Sequence, residues 1–225
     1  MINVAIDGPA GAGKSSISKR LAKQLGFIYV DTGALYRAIG LKFLNMGFDT
    51  DLKCNIAEIL KTTQIDIKFV NGEQRVFLDG VDVSDNIRTP KASMMASACS
   101  AKPEVRAFLL EIQRGLAREN NVIMDGRDIG TVVLPDASIK IFLTASDEVR
   151  ATRRYKELIE KGQDVKYEDV LAEMRERDYN DSHRAIAPLK PAEDSILADT
   201  SDMSFEESVE YIYNIIREKR NEQVL

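Results

Sequence analysis

Residues 8–15 read Gly-Pro-Ala-Gly-Ala-Gly-Lys-Ser, which matches the pattern GxxxxGK[ST] at every fixed position. A short apolar run at residues 2–6 precedes this stretch, and apolar residues recur with a helical period over residues 14–25. Glycine lets a backbone wrap closely around an anion, and the start of a helix adds partial positive charge. The stretch therefore predicts a strand, a phosphate-binding loop and a helix, with Lys14 at the outer phosphates and the Ser15 hydroxyl on Mg²⁺.

This loop predicts binding of a nucleoside triphosphate but not the reaction that follows. The alternative, a simple glycine turn with an exposed lysine, is disfavoured because the motif is complete and lies between a strand and a helix. The predicted ATP-binding residues are Gly8, Pro9, Ala10, Gly11, Ala12, Gly13, Lys14, Ser15 and Ser16.

Strand and helix patterns alternate along the rest of the chain, which predicts an α/β fold with a parallel sheet and helices on both faces. Residues 64–83 differ, because apolar and polar residues alternate there as in antiparallel strands, with a hairpin turn at Asn71-Gly72. We expect this stretch to be an inserted subdomain. Further strands are predicted at residues 27–30, 121–124, 139–143 and 195–198, and further helices at residues 34–46, 92–100, from 103 onward, 147–183 with a break at Gly162, and 205–220.

Composition excludes several classes of function. The 225 residues include 31 lysines and arginines against 36 aspartates and glutamates, a net charge of -5, which argues against a general nucleic-acid binder. A single histidine, His183, argues against Ser-His-Asp catalysis and His-rich metal sites, and we expect it at the surface. Two cysteines, Cys54 and Cys99, without a CxxC motif favour buried free thiols in a reducing cytoplasm. No apolar run of membrane-spanning length and no signal-peptide pattern are present, so we expect a cytoplasmic protein without a membrane partner.

Two further clusters follow predicted strands, at residues 31–37 (Asp-Thr-Gly-Ala-Leu-Tyr-Arg) and 125–131 (Asp-Gly-Arg-Asp-Ile-Gly-Thr). Ligands of open parallel sheets bind at the carboxyl ends of the strands, so we expect both clusters to lie near the phosphate-binding loop. Arg37 and Arg127 would then face the same cleft as Lys14 and hold phosphate oxygens. The alternative for each arginine is a structural ion pair with Asp31 or Asp125.

The charged run at residues 147–190 predicts mostly solvated helix faces with i,i+4 pairs. Four arginines are exceptions to consider as phosphate ligands, and Gly162 is a candidate hinge for a flap that closes over the triphosphate. The chain lacks the NKxD and DxxG motifs of a GTPase, which favours a kinase that acts on small molecules. The four arginines are Arg153, Arg154, Arg177 and Arg184.

Five stretches together resemble the bacterial-type cytidylate kinases, the CMP/dCMP kinases of the nucleoside monophosphate kinase family. They are GPAGAGKSS, DTGALYR, DGRDIGTVVLPDA, KIFLTAS and ERDYNDSHRAIAPLKPAEDS. The resemblance runs from the first predicted strand to the last predicted helix. The resemblance implies a three-layer P-loop nucleoside monophosphate kinase fold with a parallel sheet core, a small antiparallel insert and a helical lid. It also implies transfer of the γ-phosphoryl group of ATP to CMP and dCMP, with Mg²⁺, to give CDP and dCDP.

The resemblance assigns roles to residues in the matching motifs. It implies that Lys14, Arg37, Arg127 and Arg184 are catalytic and that the three arginines hold the acceptor phosphate. Ser97, Arg106 and Asp128 would contact the cytosine edge, Arg177 and Asp181 the sugar hydroxyls, and Arg153 or Arg154 would be lid cations. Thr32, also a CMP-binding residue, stands where much of the family has serine and keeps the hydroxyl. Either Asp31 or Asp125 could orient the waters of the metal.

The implied organisation is one kinase domain in a monomer. Its core would comprise residues 1–36, 104–150 and 185–225, its monophosphate-binding region residues 37–103, including the insert at 64–83, and its lid residues 151–184. Two alternatives stay open from the residues alone: a P-loop kinase for another acceptor such as AMP, UMP or shikimate, and a nucleotide-binding module without catalysis.

Overall fold

Strands and helices alternate along the chain in the computed structural model, which describes residues 1–70 and 72–222. The strands are β1 (Asn3–Asp7), β2 (Ile28–Asp31), β3 (Ile65–Val70), β4 (Glu73–Leu78), β5 (Val81–Asp82), β6 (Val122–Gly126), β7 (Ile139–Thr144) and β8 (Ile196–Asp199). The α-helices are α1 (Lys14–Leu25), α2 (Thr32–Asn45), α3 (Ile56–Lys61), α4 (Pro90–Ser100), α5 (Pro103–Glu119), α6 (Asp147–Glu160), α7 (Tyr167–His183) and α8 (Phe205–Glu222).

These elements belong to two compact units. The P-loop unit comprises Ile2–Phe27 and the chain from Asn121 onward, and the insert unit comprises Met1 and Ile28–Asn120. The P-loop unit contains four parallel strands in the order β6-β1-β7-β8. The insert unit contains the antiparallel sheet β3-β4-β5. The predicted α/β class, with a parallel sheet and a small antiparallel sheet, is confirmed.

The parallel strands are apolar at consecutive positions because side chains on both of their faces are buried. Val4, Ala5 and Ile6 of β1 are at most 1% exposed, and β1 pairs with both β6 and β7. Helix α1 has its predicted bounds and ends at Gly26, whose φ of 69° is the left-handed conformation of a helix C-cap. The residues of β1 and α1 themselves are therefore enough to specify this strand and this helix.

Helices α6 and α7 form an antiparallel hairpin with a small core of its own. The predicted break lies at Gly162, which has a φ of 74° between the two helices. Ala151 of α6 packs against Val170 and Met174 of α7, and the three side chains are buried. Although this region is mostly polar in composition, the two helices contact each other through a narrow strip of apolar side chains.

The core of the insert unit forms where α2, α4 and α5 pack together. Leu35, Ile39 and Phe43 of α2 are fully buried beside Met95 of α4 and Leu109 of α5. In the neighbouring hairpin, Val70 pairs with Glu73. The hairpin turn predicted at Asn71-Gly72 includes Asn71, which lies outside the described residues.

Some boundaries differ from the predicted ones. Helix α2 begins at Thr32 and not at residue 34, because the Asp31 carboxylate accepts a hydrogen bond from the Ala34 amide at 2.9 Å and caps the helix. Helix α3 was not predicted, since its six residues are too few to show a clear period. Cys99 is buried as expected, whereas Cys54 is only half-buried. No helix within residues 1–70 and 72–222 is long and apolar enough to cross a membrane.

Gly40 lets α2 approach α4 closely, which makes it a test of the insert core. A Cβ at this position would lie 3.1 Å from the backbone nitrogen of Ala96 and 3.1 Å from the Cβ of Met95. We expect Gly40→Ala to lower the free energy of unfolding by about 1–3 kcal/mol, because overpacking outweighs the helix propensity of alanine.

Gly115 is the matched control. It lies inside α5, and a Cβ there would meet only the Arg118 side chain, at 3.9 Å. Gly115→Ala should raise the free energy of unfolding by about 0.5–1 kcal/mol. Urea denaturation measures both, and equal stabilisation by the two substitutions would contradict the close packing of α2 on α4.

Candidate active site

The loop between β1 and α1 has the geometry of an anion cradle. Gly13 precedes the first helical residue with a φ of 87° and, as glycine, has no side chain with which to cap the helix. A Cβ at Gly8 would collide with the carbonyl oxygen of Leu143 on β7. Only glycine therefore lets the loop leave the sheet here, and the first backbone N–H groups of α1 stay available to a phosphate.

Lys14 and Ser15 begin the helix and point to different partners. The Lys14 side chain is buried, and its Nζ donates a hydrogen bond to the Pro9 carbonyl oxygen at 2.6 Å. Burial lowers the pKa of Lys14 well below its ordinary value, and the positive charges of Arg127 and Arg177 lower it further. The Ser15 hydroxyl donates to Oδ2 of Asp125, which ends β6, at 2.6 Å. The predicted neighbourhood of the P-loop and residues 125–131 is confirmed, since both follow adjacent parallel strands.

Asp7 organises the segment that follows β6. Its two carboxylate oxygens accept hydrogen bonds from the backbone amides of Ile129 and Gly130, at 2.8 Å and 2.7 Å. These amides begin a π-helical turn, Ile129–Val133, which the sequence analysis did not predict. Burial raises the pKa of Asp7 to about 6, although both hydrogen bonds favour the ionised form. Asp7 thereby positions the turn directly after Asp128.

Five residues predicted to bind the acceptor nucleotide form one network of charges in the P-loop unit. Nε of Arg127 donates to Oδ2 of Asp181 at 2.8 Å, and Arg184 donates to Oδ1 of Asp128 at 3.1 Å. Burial works against ionisation of Asp181, but the charges of Arg127, Arg177 and Arg184 outweigh it and lower the pKa of that carboxyl. Burial likewise disfavours the charged form of Arg127, yet Asp181 raises its pKa. Arg127 thus pairs with Asp181 and not with the predicted alternative, Asp125.

The other four predicted nucleotide-binding residues lie in the insert unit, on α2, α4 and α5: Thr32, Arg37, Ser97 and Arg106. Arg37 forms the structural ion pair that was predicted as the alternative to phosphate binding. Its NH2 lies 2.9 Å from Oδ2 of Asp31. Its Nε is buried and has no hydrogen-bond partner among the described residues. Arg106 is buried, donates to the Ser100 carbonyl at 3.3 Å, and lies 5.9 Å from the centre of the Tyr36 ring. Whether these side chains face Lys14 stays a prediction.

The two predicted lid cations have protein partners. Arg153 donates to the carbonyl oxygens of Thr200, at 2.8 Å, and Met203, at 3.3 Å, which ties α6 to the segment after β8. Arg154 pairs with Glu157 one turn along the same helix. A role of either arginine in binding ATP stays a prediction. His183 is exposed, as expected, and its ring stacks on Tyr179 with 4.0 Å between centroids.

Arg150 and Asp178 contact the P-loop, and sequence reasoning missed both. The expectation of a solvated helix face is wrong for Arg150, which is only 4% exposed. Its NH1 donates to the Ala10 carbonyl at 2.7 Å, and Oδ1 of Asp178 accepts from the Ala10 amide at 3.0 Å. No local pattern distinguishes these two charges from their exposed neighbours, because their burial comes from α6 and α7 packing on the loop.

A parallel sheet, a P-loop that begins a helix, and a cluster of arginines fixed by carboxylates define a P-loop phosphotransferase of small molecules. A family model described as cytidylate kinase matches residues 4–218, and the chain belongs to the cytidylate kinase family. The resemblance drawn from the motifs is confirmed.

Curated relatives agree with this family. The chain is 55% identical to a cytidylate kinase of Caldicellulosiruptor saccharolyticus, over 95% of each chain. It is 52% identical to a cytidylate kinase of Caldanaerobacter subterraneus subsp. tengcongensis, over 99% of this chain and 98% of that one. A solved shikimate kinase from Bacteroides thetaiotaomicron matches with a TM-score of 0.48 and 10% identity, over 96% of this chain and 98% of that chain.

The buried carboxyl of Asp7 predicts a pH dependence of stability. Its pKa of about 6 lies above the ordinary value of 3.8, so the folded protein binds more protons than the unfolded chain between pH 4 and pH 6. The contribution of Asp7 to the free energy of unfolding should therefore fall by up to about 3 kcal/mol as the pH rises through this window. Asp7→Asn should remove that fall.

Urea denaturation at several pH values between 4.5 and 7 measures this slope. Asp199→Asn is the control, since Asp199 is exposed and its pKa is lowered by hydrogen bonds from Ser201, so this change should not flatten the curve. Identical pH slopes for Asp7→Asn and the unchanged protein would contradict the assignment to Asp7.

Proposed function

We propose that this protein transfers the γ-phosphoryl group of ATP directly, in line, to CMP and dCMP, forming CDP and dCDP. The observation that carries the proposal is the meeting of Lys14 and Ser15 of the P-loop with the Arg127–Asp181 and Arg184–Asp128 pairs in a chain of the cytidylate kinase family. The proposal keeps the cytoplasmic location and monomeric state that the two free cysteines and the resemblance favour. The predicted division into core, monophosphate-binding region and lid also stays a prediction.

On the donor side, the P-loop binds and orients the triphosphate. The uncapped N–H groups at the start of α1 and the Lys14 ammonium interact with phosphate oxygens, which carry the charge in a loose transition state. No general base is required, because positioning and charge stabilisation dominate such a transfer. Lys14 must exchange its bond to the Pro9 carbonyl for a bond to phosphate when it acts.

The oxygen donors at Ser15 and Asp125 fit Mg²⁺. A hydroxyl and a carboxylate 2.6 Å apart are hard ligands, and Mg²⁺ uses one or two protein ligands together with water and phosphates. Among residues 1–70 and 72–222, no group of three or more His, Cys, Asp or Glu side chains could hold a metal. A Mg²⁺ ion held mainly by water and phosphates needs no such group. When bound, Mg²⁺ neutralises charge on the phosphates. Asp125 is favoured over Asp31 as the carboxylate, because Asp31 caps α2 and pairs with Arg37.

On the acceptor side, carboxylates hold the arginines in fixed orientations. Asp181 fixes the Nε side of Arg127, and Asp128 together with the Ala187 carbonyl fixes Arg184. A fixed guanidinium can hold the phosphate of CMP with two parallel hydrogen bonds. The buried Nε of Arg37, which lacks a partner among the described residues, supports a similar role for that residue.

Base selection rests on hydrogen-bond complementarity. Cytosine offers an N4 amino donor, which suits the buried Asp128 carboxylate, and N3 and O2 acceptors, which suit the buried Arg106. Uracil presents an acceptor in place of the N4 donor and would leave a buried polar group unpaired. Ser97 would contribute to the same edge, and Arg177 and Asp181 would bind the sugar hydroxyls. UMP should therefore be a poorer substrate.

A panel assay tests the proposal against its alternatives. ATP is incubated with CMP, dCMP, UMP, AMP or shikimate, and the products are separated by chromatography. Rapid formation of CDP and dCDP supports the proposal. Transfer only to another acceptor would identify a different kinase, and ATP binding without any product would identify a module without catalysis.

Replacement of Lys14 tests the donor side. We expect Lys14→Met to lower kcat by about 100-fold or more while the protein stays folded, because the charge that stabilises the transition state is lost. Lys140→Met is the control, since Lys140 is also buried but pairs with Asp194. Its substitution should cost stability and spare turnover. Near-normal kcat for Lys14→Met would reject the P-loop assignment.

Replacement of Asp128 tests base recognition. We expect Asp128→Asn to raise the KM for CMP about tenfold or more and to leave the KM for ATP within about twofold, because both the cytosine contact and the pair with Arg184 are weakened. Asp136→Asn, at an exposed aspartate after the same turn, should change neither constant. Loss of ATP affinity with CMP affinity retained would overturn the role of Asp128.

A further inference from the structure

Both peptide groups of Ala10, within the P-loop, are bound by side chains from the helical hairpin. Oδ1 of Asp178 accepts a hydrogen bond from the Ala10 amide at 3.0 Å, and NH1 of Arg150 donates to the Ala10 carbonyl at 2.7 Å. The two side chains also pair with each other, since NH1 of Arg150 lies 2.5 Å from Oδ2 of Asp178. The three residues thus form a closed set of hydrogen bonds, which we call the Ala10 clamp.

The orientation of Arg150 is set by further bonds that do not involve the loop. Its Nε donates to the Ala145 carbonyl at 2.9 Å, and its NH2 donates to Oδ1 of Asp147 at 2.5 Å. The side chain is only 5% exposed. A buried guanidinium with carbonyl and carboxylate partners on several sides has little rotational freedom, so the Ala10 carbonyl meets a rigid donor.

Gly11 brings the next residue of the loop against the same two helices. A Cβ at this position would lie 2.6 Å from Cε of Met174 and 3.2 Å from both Cβ and the carbonyl oxygen of Arg150. Its φ of 72° is also strained for residues other than glycine. Packing and hydrogen bonds therefore act on two successive residues of the P-loop.

A glycine-rich loop has many accessible conformations, and only those with converging N–H groups bind a triphosphate well. Ordering such a loop in advance reduces the entropy that ATP binding must otherwise offset. We propose that Arg150 and Asp178 are positioning residues that hold the Ala10 peptide, and with it the P-loop, in the conformation that receives the phosphates of ATP. The inference rests on the proposed function in that ATP binds this loop, and neither side chain needs to touch the nucleotide.

Three substitutions separate the clamp from general effects on the helices. Asp178→Ala removes both the acceptor for the Ala10 amide and the partner of Arg150. Asp178→Asn keeps an oxygen that can accept from the Ala10 amide but removes the charge. Glu148→Ala is the control, because it breaks an ion pair between the same two helices, with Arg175, that involves neither Arg150 nor the loop.

Equilibrium titration with Mg·ATP, steady-state assays with ATP and CMP, and thermal unfolding are measured for each variant. We expect Asp178→Ala to raise both Kd and KM for ATP about tenfold, with KM for CMP within about twofold, and Asp178→Asn to restore ATP affinity to within about threefold. Glu148→Ala should change none of these constants by more than about twofold.

Two results would overturn the inference. Unchanged ATP affinity in Asp178→Ala is one. Equal effects of the alanine and asparagine variants on ATP affinity are the other. In that case the loss of charge would explain both effects, because the charge of Asp178 also raises the pKa of Arg127. ATP titration does not depend on the acceptor, so failure of the clamp is distinguishable from failure of CMP phosphorylation in the unchanged protein.

Amide hydrogen exchange gives a test that needs no alanine variant. In the unchanged protein without nucleotide, the Ala10 amide should be protected from exchange, and Asp178→Asn, which keeps an accepting oxygen, should retain most of that protection. An Ala10 amide that exchanges at the rate of a free peptide would refute the clamp, even if Asp178→Ala does not fold.

Discussion

The N-terminus of α1, where Gly13 provides no side-chain cap, constrains how the rest of the P-loop unit is arranged. A helix usually satisfies its first N–H groups with a side-chain cap, but Gly13 has no side chain to offer, and these groups remain for a phosphate. The loop that exposes them needs glycine at position 8, because a Cβ there would collide with the Leu143 carbonyl. The approach is this close because β7, which contains Leu143, pairs directly with β1. Under the proposed function, close packing of sheet and loop would serve anion binding as well as stability.

Positive charge gathered around an anion site must be held in place while no anion is bound. The P-loop unit meets this requirement with carboxylates: Asp181 pairs with Arg127, Asp128 with Arg184, and Asp178 with Arg150. Each pair satisfies a buried or half-buried cation and fixes the direction of its guanidinium. The overall acidic balance of the chain is therefore compatible with a site for anionic substrates, because the relevant charge is local and largely neutralised by these partners.

Asp7 and the π-helical turn show how an unusual local structure is supported. The turn at Ile129–Val133 starts with two amides that the Asp7 carboxylate binds, across 122 and 123 positions of sequence. Local propensity does not predict such a turn, since its stabilising partner comes from another strand. Helix α3 was not predicted for a different reason. Its six residues span too few turns for a helical period to be recognised in the sequence.

The sequence by itself determined the features that depend on neighbours along the chain. These are the P-loop with its strand and helix, the Gly26 and Gly162 helix ends, the alternating strands of the insert and, through its motifs, the cytidylate kinase family. Only the tertiary structure decided which charges act together. Arg150 and Arg154 look alike in sequence, yet one is buried against the P-loop and the other lies at the surface with Glu157. The reason is that hydrogen bonds and burial depend on distance in space, and α6 and α7 bring together residues that no periodicity along the chain relates.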